Sequence, residues 1–402
     1  MRDIAIIGGG LVGLCAALVL QHPQRRVTVI EAGNFDQPAE GGLGARSIAL
    51  SASSVQLFRA LGIWSRLEPH AAPIRRIHIS SRGRWGVTRL RAEDYEMDAL
   101  GYVMENPALS TGLLQAVEAT KNIKLLQNTG FESIDQQQAV EIGYRSAGRL
   151  RRLQARLALV ADGARSQARA ALGIDHQVVD YGQSIVICNV EVDRAQNETA
   201  YERFTSQGPL AMLPLGSGRY ACVWTLDPGR ADEVYAMDDD GFRAALQDCF
   251  GYRLGIIGAV GPRFSMPLQR VRANSLRSGR CLLMGNAANA LHPVAGQSFN
   301  LSLRDVACLY ELLCERSLDD LEETAFDELG TEYERLREPE QRRVIRYGDG
   351  LVTMFSNDLP LLDRVRATGL GLLDLLPPLK AQAAFTGMGL TFGGNRVLRG
   401  RL

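Results

Sequence analysis

The chain has 402 residues, 46% of them hydrophobic, which is enough to bury a substantial core and to divide into two or three lobes. Lys and Arg number 45, as do Asp and Glu, so the net charge is zero and no basic surplus points to nucleic acid or an anionic membrane surface. The seven cysteines (Cys15, Cys188, Cys222, Cys249, Cys281, Cys308 and Cys314) are odd in number, scattered and free of any CxxC pair. This argues against a disulfide framework or a zinc site and fits a reducing compartment.

Residues Ile4 to Leu20 form an apolar run, but Gly8, Gly9 and Gly10 interrupt it, which rules against a spanning helix. With one Arg beside one Asp ahead of the run, a cytoplasmic start is expected rather than a signal peptide. The run reads as a buried strand (Asp3 to Ile7), a turn (Gly8 to Gly13) and an apolar helix (Leu11 to Gln21). The turn has GxGxxG spacing: Gly8 permits the tight turn, Gly10 lets a pyrophosphate approach the backbone, and Gly13 lets the helix press on the sheet. The next strand, Arg26 to Ile30, ends in Glu31, placed to accept hydrogen bonds from a ribose 2′-hydroxyl. Strand, turn, helix, strand and acid in that order predict a dinucleotide-binding unit, and the acid favours FAD or NAD over NADP.

A Gly-rich loop (Gly41 to Gly44) and Arg46 lead into a helix from about Ser51 to Leu61. Arg46 is either a surface arginine or a guanidinium that reaches back to a phosphate or flavin edge. From Ile74 to Arg91 short alternating segments predict antiparallel strands, an excursion out of the first lobe. Tyr102 to Glu105 reads as a strand and Leu109 to Thr120 as a helix, followed by strands near Ile123 to Leu126 and Ala139 to Tyr144. In Leu157 to Arg169 an apolar strand delivers Asp162 and Gly163 at its carboxyl end, where ligands of open α/β sheets sit, with Ser166 and Arg169 one turn apart on the next helix.

Between Ser184 and Pro267 the pattern is again strand-like, with one helix near Asp240 to Phe250, and predicts a second lobe on an antiparallel sheet. Its Phe204, Leu210, Met212 and Trp224 read as core. The stretch Arg280 to Val306 then gives a short buried strand, a turn at Gly285 and a helix whose amide end is opened by Gly296, Gln297 and Ser298. Such an end can hold a group that becomes anionic. Phe326 to Tyr347 is rich in Glu and Arg and reads as a solvated helix face, whereas Leu359 to Leu390 is apolar and broken by Gly369, Gly371, Pro377 and Pro378. The latter reads as packing helices or an interfacial surface.

Taken together, GGGLVG with Glu31, ADGARSQAR and GNAANALHPVAGQSFNLSLRDV resemble the class A flavin-dependent aromatic hydroxylases of the p-hydroxybenzoate hydroxylase fold. ARSIALSASSVQLFRALGIW, ERFTSQGPLAMLPL and Asn286 resemble their ubiquinone-biosynthesis branch, the 2-polyprenyl-6-methoxyphenol hydroxylases. The resemblance implies an α/β fold in three parts. A Rossmann-like FAD-binding domain would comprise 1–73, 101–180 and 268–350, an inserted antiparallel-sheet substrate domain 74–100 and 181–267, and a helical C-terminal region 351–402. It places Gly8, Gly10, Gly13 and Glu31 on the ADP half of FAD, and Arg46 on the phosphate and flavin region. Asp162 and Gly163 would line the FAD and electron-donor side, Gly285 and Asn286 the ribityl and pyrophosphate part, and Pro293, Gly296 and Asn300 the wall beside the isoalloxazine.

The implied activity is monooxygenation of a polyprenylated phenol by O2 through a flavin hydroperoxide, with no metal and with His292 as the one weak protein candidate for proton transfer. A structural flavoprotein without turnover in a biosynthetic complex, or a hydroxylase of another ring position or substrate, is the alternative. Only one GxGxxG occurs, so the electrons are expected from transiently bound NAD(P)H or a partner reductase. An apolar polyprenyl tail implies peripheral contact with the inner membrane, and other ubiquinone-biosynthesis proteins are implied as partners. Four positions depart from the family pattern: Asn286 stands where most class A hydroxylases carry Asp, although the ubiquinone branch tolerates Asn, while Asn289 replaces the usual His or Gln, Ser298 the last Gly of GQG, and Ser302 the Gly of NLGL. A Cβ at Ser298 narrows the backbone angles and the space beside the flavin.

Overall fold

The strand Arg2–Ile7 is central because Ile4, Ala5, Ile6 and Ile7 are all buried, the pattern of a parallel strand covered on both faces. The computed structural model describes residues 2–35, 46–83, 87–291, 297–314 and 323–355. In the first sheet the order is Arg277–Ser278, Cys281–Leu283, Arg149–Val160, Arg2–Ile7, Val27–Ile30 and Ile123–Leu126. Val140–Ser146 and Thr129–Gln136 pair antiparallel beyond Arg149–Val160. The four strands Cys281–Leu283, Arg149–Val160, Arg2–Ile7 and Val27–Ile30 are mutually parallel. Their last residues stand level, with Leu283 opposite Val160, Val160 opposite Ile7 and Ile7 opposite Ile30. That register delivers Gly285, Asp162, Gly8 and Glu31 to one edge of the sheet, although up to 277 positions of sequence separate them (285 − 8 = 277).

The helices Leu11–Leu20, Asn106–Glu118 and Gln297–Leu313 cover this sheet, and their Leu14, Leu18, Leu109, Leu113, Leu303 and Leu309 share one core with it. Ser47–Ser51, Gly101–Glu105 and Ala71–Ile74 make a small antiparallel sheet beside it. Ser51 ends its strand and caps the helix Ala52–Ala60, its hydroxyl accepting from the Ser54 N–H.

The second sheet has nine strands, eight of them in the order Asn289–Ala290, Phe264–Ala273, His176–Val192, Arg219–Leu226, Gly208–Gly216, Thr199–Thr205, Arg76–Ser81 and Val87–Arg91. The ninth, Ile257–Val260, pairs with His176–Val192. Two details of the layout are visible here. The sheet is not wholly antiparallel, because Arg76–Ser81 joins it parallel to Thr199–Thr205. The connection between those two strands passes through the first sheet, and a crossover of that length permits parallel pairing. The divisions expected at 180/181 and 267/268 also fall inside the strands His176–Val192 and Phe264–Ala273. These run on as a ribbon, His176–Asp180 against Gln269–Ala273, before a register shift admits them to the wider sheet.

Beneath one face of this sheet the helices Pro228–Ala236 and Asp239–Phe250 close a separate core around Tyr201, Met212, Cys222, Trp224 and Phe242. Pro228–Ala236, opened by a proline that is disfavoured inside a helix but suited to its first turn, was not anticipated from the sequence. The 33-residue helix Glu323–Phe355 is not the solvated rod its Glu and Arg content suggests, since Arg337, Glu340 and Gln341 are buried on it. The apolar stretch Leu359 to Leu390 lies outside the described residues.

Candidate functional site

At the first turn the backbone dictates glycine twice. Gly8 has a φ of +103°, and a Cβ there would stand 2.4 Å from the Ala161 carbonyl oxygen; a Cβ on Gly13 would stand 1.9 Å from the Gly8 oxygen. Gly10 differs, since among the described residues a Cβ on it would meet nothing within 4 Å. It is the N-cap of Leu11–Leu20, with no side chain capping the helix and no acid in its first turn, so the amide end is open to an anionic group. Glu31, at the end of the neighbouring strand, accepts from the Gly9 N–H through Oε2 and from the Gly33 N–H through Oε1, both at 2.6 Å. A carboxylate has about four acceptor sites, so two remain for hydroxyl groups.

On the other side, Asp162 Oδ2 accepts from the Ala168 N–H at 3.1 Å, whereas Oδ1 is buried and without a partner among the described residues. A buried carboxylate oxygen left unpaired is costly, and a hydroxyl of a bound group would satisfy it. Gly163 has a φ of +91°, and among the described residues a Cβ on it would meet nothing within 4 Å. Gly285 packs against Val12 of the first helix, whose Cγ2 is 3.2 Å from where its Cβ would lie. Arg169, one turn from Ser166, joins two of the motifs. Its buried guanidinium donates to the Ala164 oxygen at 3.1 Å and, across the sheet edge, to the Ala287 oxygen at 2.9 Å. Burial lowers its pKa, and Asp162 opposes that shift.

Asn286 lies exposed in the turn Gly285–Ala287, and its Oδ1 accepts from the Ser298 hydroxyl at 3.1 Å. Ser298 is the second residue of the helix Gln297–Leu313 and is absent from the positive-φ residues, so the backbone there does not require glycine. Ser302 donates to the Ser298 carbonyl oxygen at 2.9 Å. Asn300 is buried in this helix and fully occupied with protein: its Oδ1 accepts from the Ser51 N–H and the Ser54 hydroxyl, and its Nδ2 donates to the Ala49 oxygen. It holds the helix to the small sheet and the helix behind it. Arg46 is exposed at the start of that sheet, its guanidinium 6.0 Å from the centroid of the Phe264 ring on the second sheet. His292, Pro293 and Gly296 lie outside the described residues.

Asn289 is not at this edge. It is buried, and its Nδ2 donates to Gln341, which in turn donates to both oxygens of Asp305. Asp305 pairs with Arg337, and Glu340 bridges Arg337 and Arg304, all of them buried. Among the described residues no cluster of His, Cys, Asp or Glu could hold a metal, and no helix is long and apolar enough to cross a membrane.

The open amide end at Gly10, the spare acceptors of Glu31 and the unpaired Asp162 oxygen suit a dinucleotide with a pyrophosphate and hydroxyl groups. Comparison with known proteins identifies the class. Residues 1–347 match the FAD binding domain family. The chain is 33% identical to the ubiquinone hydroxylase UbiL of Rhodospirillum rubrum over 380 residues, 94% of this chain and 88% of the relative. It is 30% identical to the 3-demethoxyubiquinol 3-hydroxylase of Escherichia coli over 398 residues, 96% and 98% of the two chains. Of solved structures, it resembles in fold the p-nitrophenol 4-monooxygenase PnpA of Pseudomonas putida (TM-score 0.78, 18% identity, 96% and 98% covered). It also resembles HpxO of Klebsiella pneumoniae complexed with FAD (TM-score 0.75, 16% identity, 97% and 99% covered). The chain belongs to this FAD-binding family, that of the flavin-dependent aromatic hydroxylases.

Proposed function

We propose that the protein hydroxylates a polyprenylated phenol in ubiquinone biosynthesis, using FAD, O2 and electrons from NAD(P)H or a partner reductase. The observation that carries this reading is the level register of Leu283, Val160, Ile7 and Ile30, which gathers three motif turns and Glu31 at one sheet edge. The relatives named as ubiquinone hydroxylases supply the substrate class.

FAD, when bound, supplies the activation of oxygen and its transfer to the ring. The chain does the rest. Gly8, Gly10 and Gly13 shape the pyrophosphate cradle, Glu31 and Asp162 offer acceptors to hydroxyl groups, and Gly163, Gly285 and Asn286 line the opposite side. Arg46 supplies a cation beside the second sheet, and Asn300 fixes the helix Gln297–Leu313, whose amide end favours an anionic ring near it. Pro293 and Gly296 are assigned to the same wall by family resemblance. We divide the chain accordingly into the FAD-binding part around the first sheet, a substrate part on the second, and a C-terminal region from 351. A polyprenyl tail gains about 0.8 kcal/mol per buried CH2 and rarely leaves a bilayer, so the enzyme works at the membrane surface, where Leu359 to Leu390 is the candidate for contact.

The test is purification with FAD, then O2 consumption and product mass with prenylated phenols and NAD(P)H. A product heavier by one oxygen supports the reading, and oxygen uptake independent of any phenol contradicts it. Gly10→Val should abolish FAD binding, because its side chain fills the space left for the pyrophosphate.

A further inference from the structure

Six residues stand in one row across the second sheet. Ile79, Glu202, Ala211, Val223, Ile187 and Phe264 are cross-strand partners in that order. Paired residues share a face, and the neighbouring row, with Tyr201, Met212, Cys222 and Cys188, is buried in the core on the opposite face. The row of Glu202 is not sealed in this way: five of its members are half-buried and Phe264 is 39% exposed. Two positions before Glu202, and hence on its face, Ala200 packs with Ile74 and Val103 of the small sheet. Phe264, at the other end, lies beneath the Arg46 guanidinium. The row is therefore a strip of apolar wall turned toward the nucleotide-binding lobe, with one carboxyl group in it.

That carboxyl makes no hydrogen bond or ion pair among the described residues. Burial alone pushes it up to about 7, with no charge or donor opposing the shift. Among the described residues, a titratable group facing it from a neighbouring element is Tyr347 of the helix Glu323–Phe355, whose phenol is raised by burial and by Glu202. A lone carboxyl on an apolar wall costs stability unless something pairs with it.

We propose that Glu202 receives the phenolic substrate: its carboxylate accepts the hydrogen bond of the ring hydroxyl and takes that proton as the ring is oxygenated. This rests on the reading of the chain as a phenol hydroxylase. The phenolic O–H bond breaks, an O–H bond forms on the carboxylate, and the bonding pair stays on the phenolic oxygen, which makes the ring more electron-rich. Glu202 undergoes no redox change and returns its proton to water after product leaves. A base with a pKa near 7 suits this transfer. The apolar members of the row are the surface on which an aromatic ring would lie.

The test uses FAD-loaded wild type, Glu202→Gln and Glu202→Leu, with 4-nitrophenol as the probe because its phenolate absorbs visible light and its phenol does not. Above the pKa of Glu202, binding to the wild type should bleach the phenolate band, since two anions cannot share the site and the ligand must take up a proton. Glu202→Gln should bind the phenolate without bleaching. With a prenylated phenol, Glu202→Gln should lower kcat by about 10²- to 10⁴-fold and abolish the rise of kcat through neutral pH. Equal bleaching in wild type and variant, no binding to the wild type, or loss of FAD from both variants would overturn the proposal. If bleaching differs as expected but no prenylated phenol is oxidised, the reading of the substrate fails while the phenol site stands.

Discussion

The hydroxyl of Ser298 donates to the side-chain oxygen of Asn286 at 3.1 Å. Ser298 replaces the glycine of the family pattern, and Asn286 stands where most class A hydroxylases carry aspartate. Together they span the gap between the turn Gly285–Ala287 and the helix Gln297–Leu313. The bond fixes the amide so that its NH2 group is left to donate elsewhere. Because Ser298 has ordinary helical backbone, its Cβ is not by itself a reason to infer lost turnover.

Ser298→Ala should therefore weaken FAD binding modestly. A partly exposed neutral hydrogen bond is worth about 0.5 to 1.5 kcal/mol, or roughly two- to tenfold in affinity. Fluorescence titration of the apoprotein with FAD measures it. Affinity unchanged or improved would mean that Asn286 needs no such support.

Arg169 should matter more. Its guanidinium holds the Ala164 and Ala287 carbonyls together, and so ties the Asp162 loop to the Gly285 turn. Arg169→Met leaves both oxygens without that donor in a buried place, at a cost of about 3 kcal/mol. Arg169→Lys should recover little, because an ammonium lacks the planar fork that reaches two carbonyls in fixed directions. Thermal melting of the FAD-free protein checks the stability loss, and FAD titration should show weaker binding in both variants.

The buried ion pairs between Gln297–Leu313 and Glu323–Phe355 invite a third measurement. Glu340 accepts from Arg304 at 2.5 Å and also pairs with Arg337. Burial opposes its ionisation, but the two arginines outweigh this and hold its carboxyl below the ordinary value. Glu340→Ala leaves two guanidinium groups short of their counter-charge and should cost about 3 to 5 kcal/mol. Denaturant unfolding measures the cost, and a loss below about 1 kcal/mol would show that the cluster relaxes without it.

The sequence made the first sheet legible because its strands are continuous apolar runs ended by Gly or Asp, as in Ile4–Ile7 before Gly8 and Leu157–Val160 before Asp162. It did not disclose the buried role of Arg337 and Glu340, since a helix rich in Glu and Arg has the same composition whether its charges meet water or one another. The three bonds of Asn300 to Ala49, Ser51 and Ser54 depend on a packing of distant segments that no local pattern encodes. In the sequence Glu202 is one residue of the stretch ERFTSQGPLAMLPL, with no spacing of its own to mark it. Alternation places Tyr201 and Glu202 on opposite faces, but which face meets the first lobe is decided by the parallel pairing with Arg76–Ser81, set by residues more than a hundred positions away (199 − 81 = 118).

The same carboxyl yields a prediction that needs no substrate. Burial raises Glu202 from its ordinary value of 4.5 to about 7, so between these values the folded protein holds a proton that the unfolded chain has released. Stability must then fall as pH rises across this window. The contribution of the neutral carboxyl is fully present below about 4.5 and lost as pH passes through about 7. Glu202→Gln keeps the shape and cannot ionise, so it should match the wild type in acid and exceed it at higher pH. Discounted for partial access of water, the gap should reach on the order of 2 kcal/mol, or several degrees in melting temperature. Melting curves of FAD-free wild type and variant from mildly acid to mildly alkaline buffer measure it. Curves that diverge through neutrality show that nothing in the protein pairs with this carboxylate. Parallel curves would mean that it ionises at its ordinary value, with solvent rather than substrate as its partner.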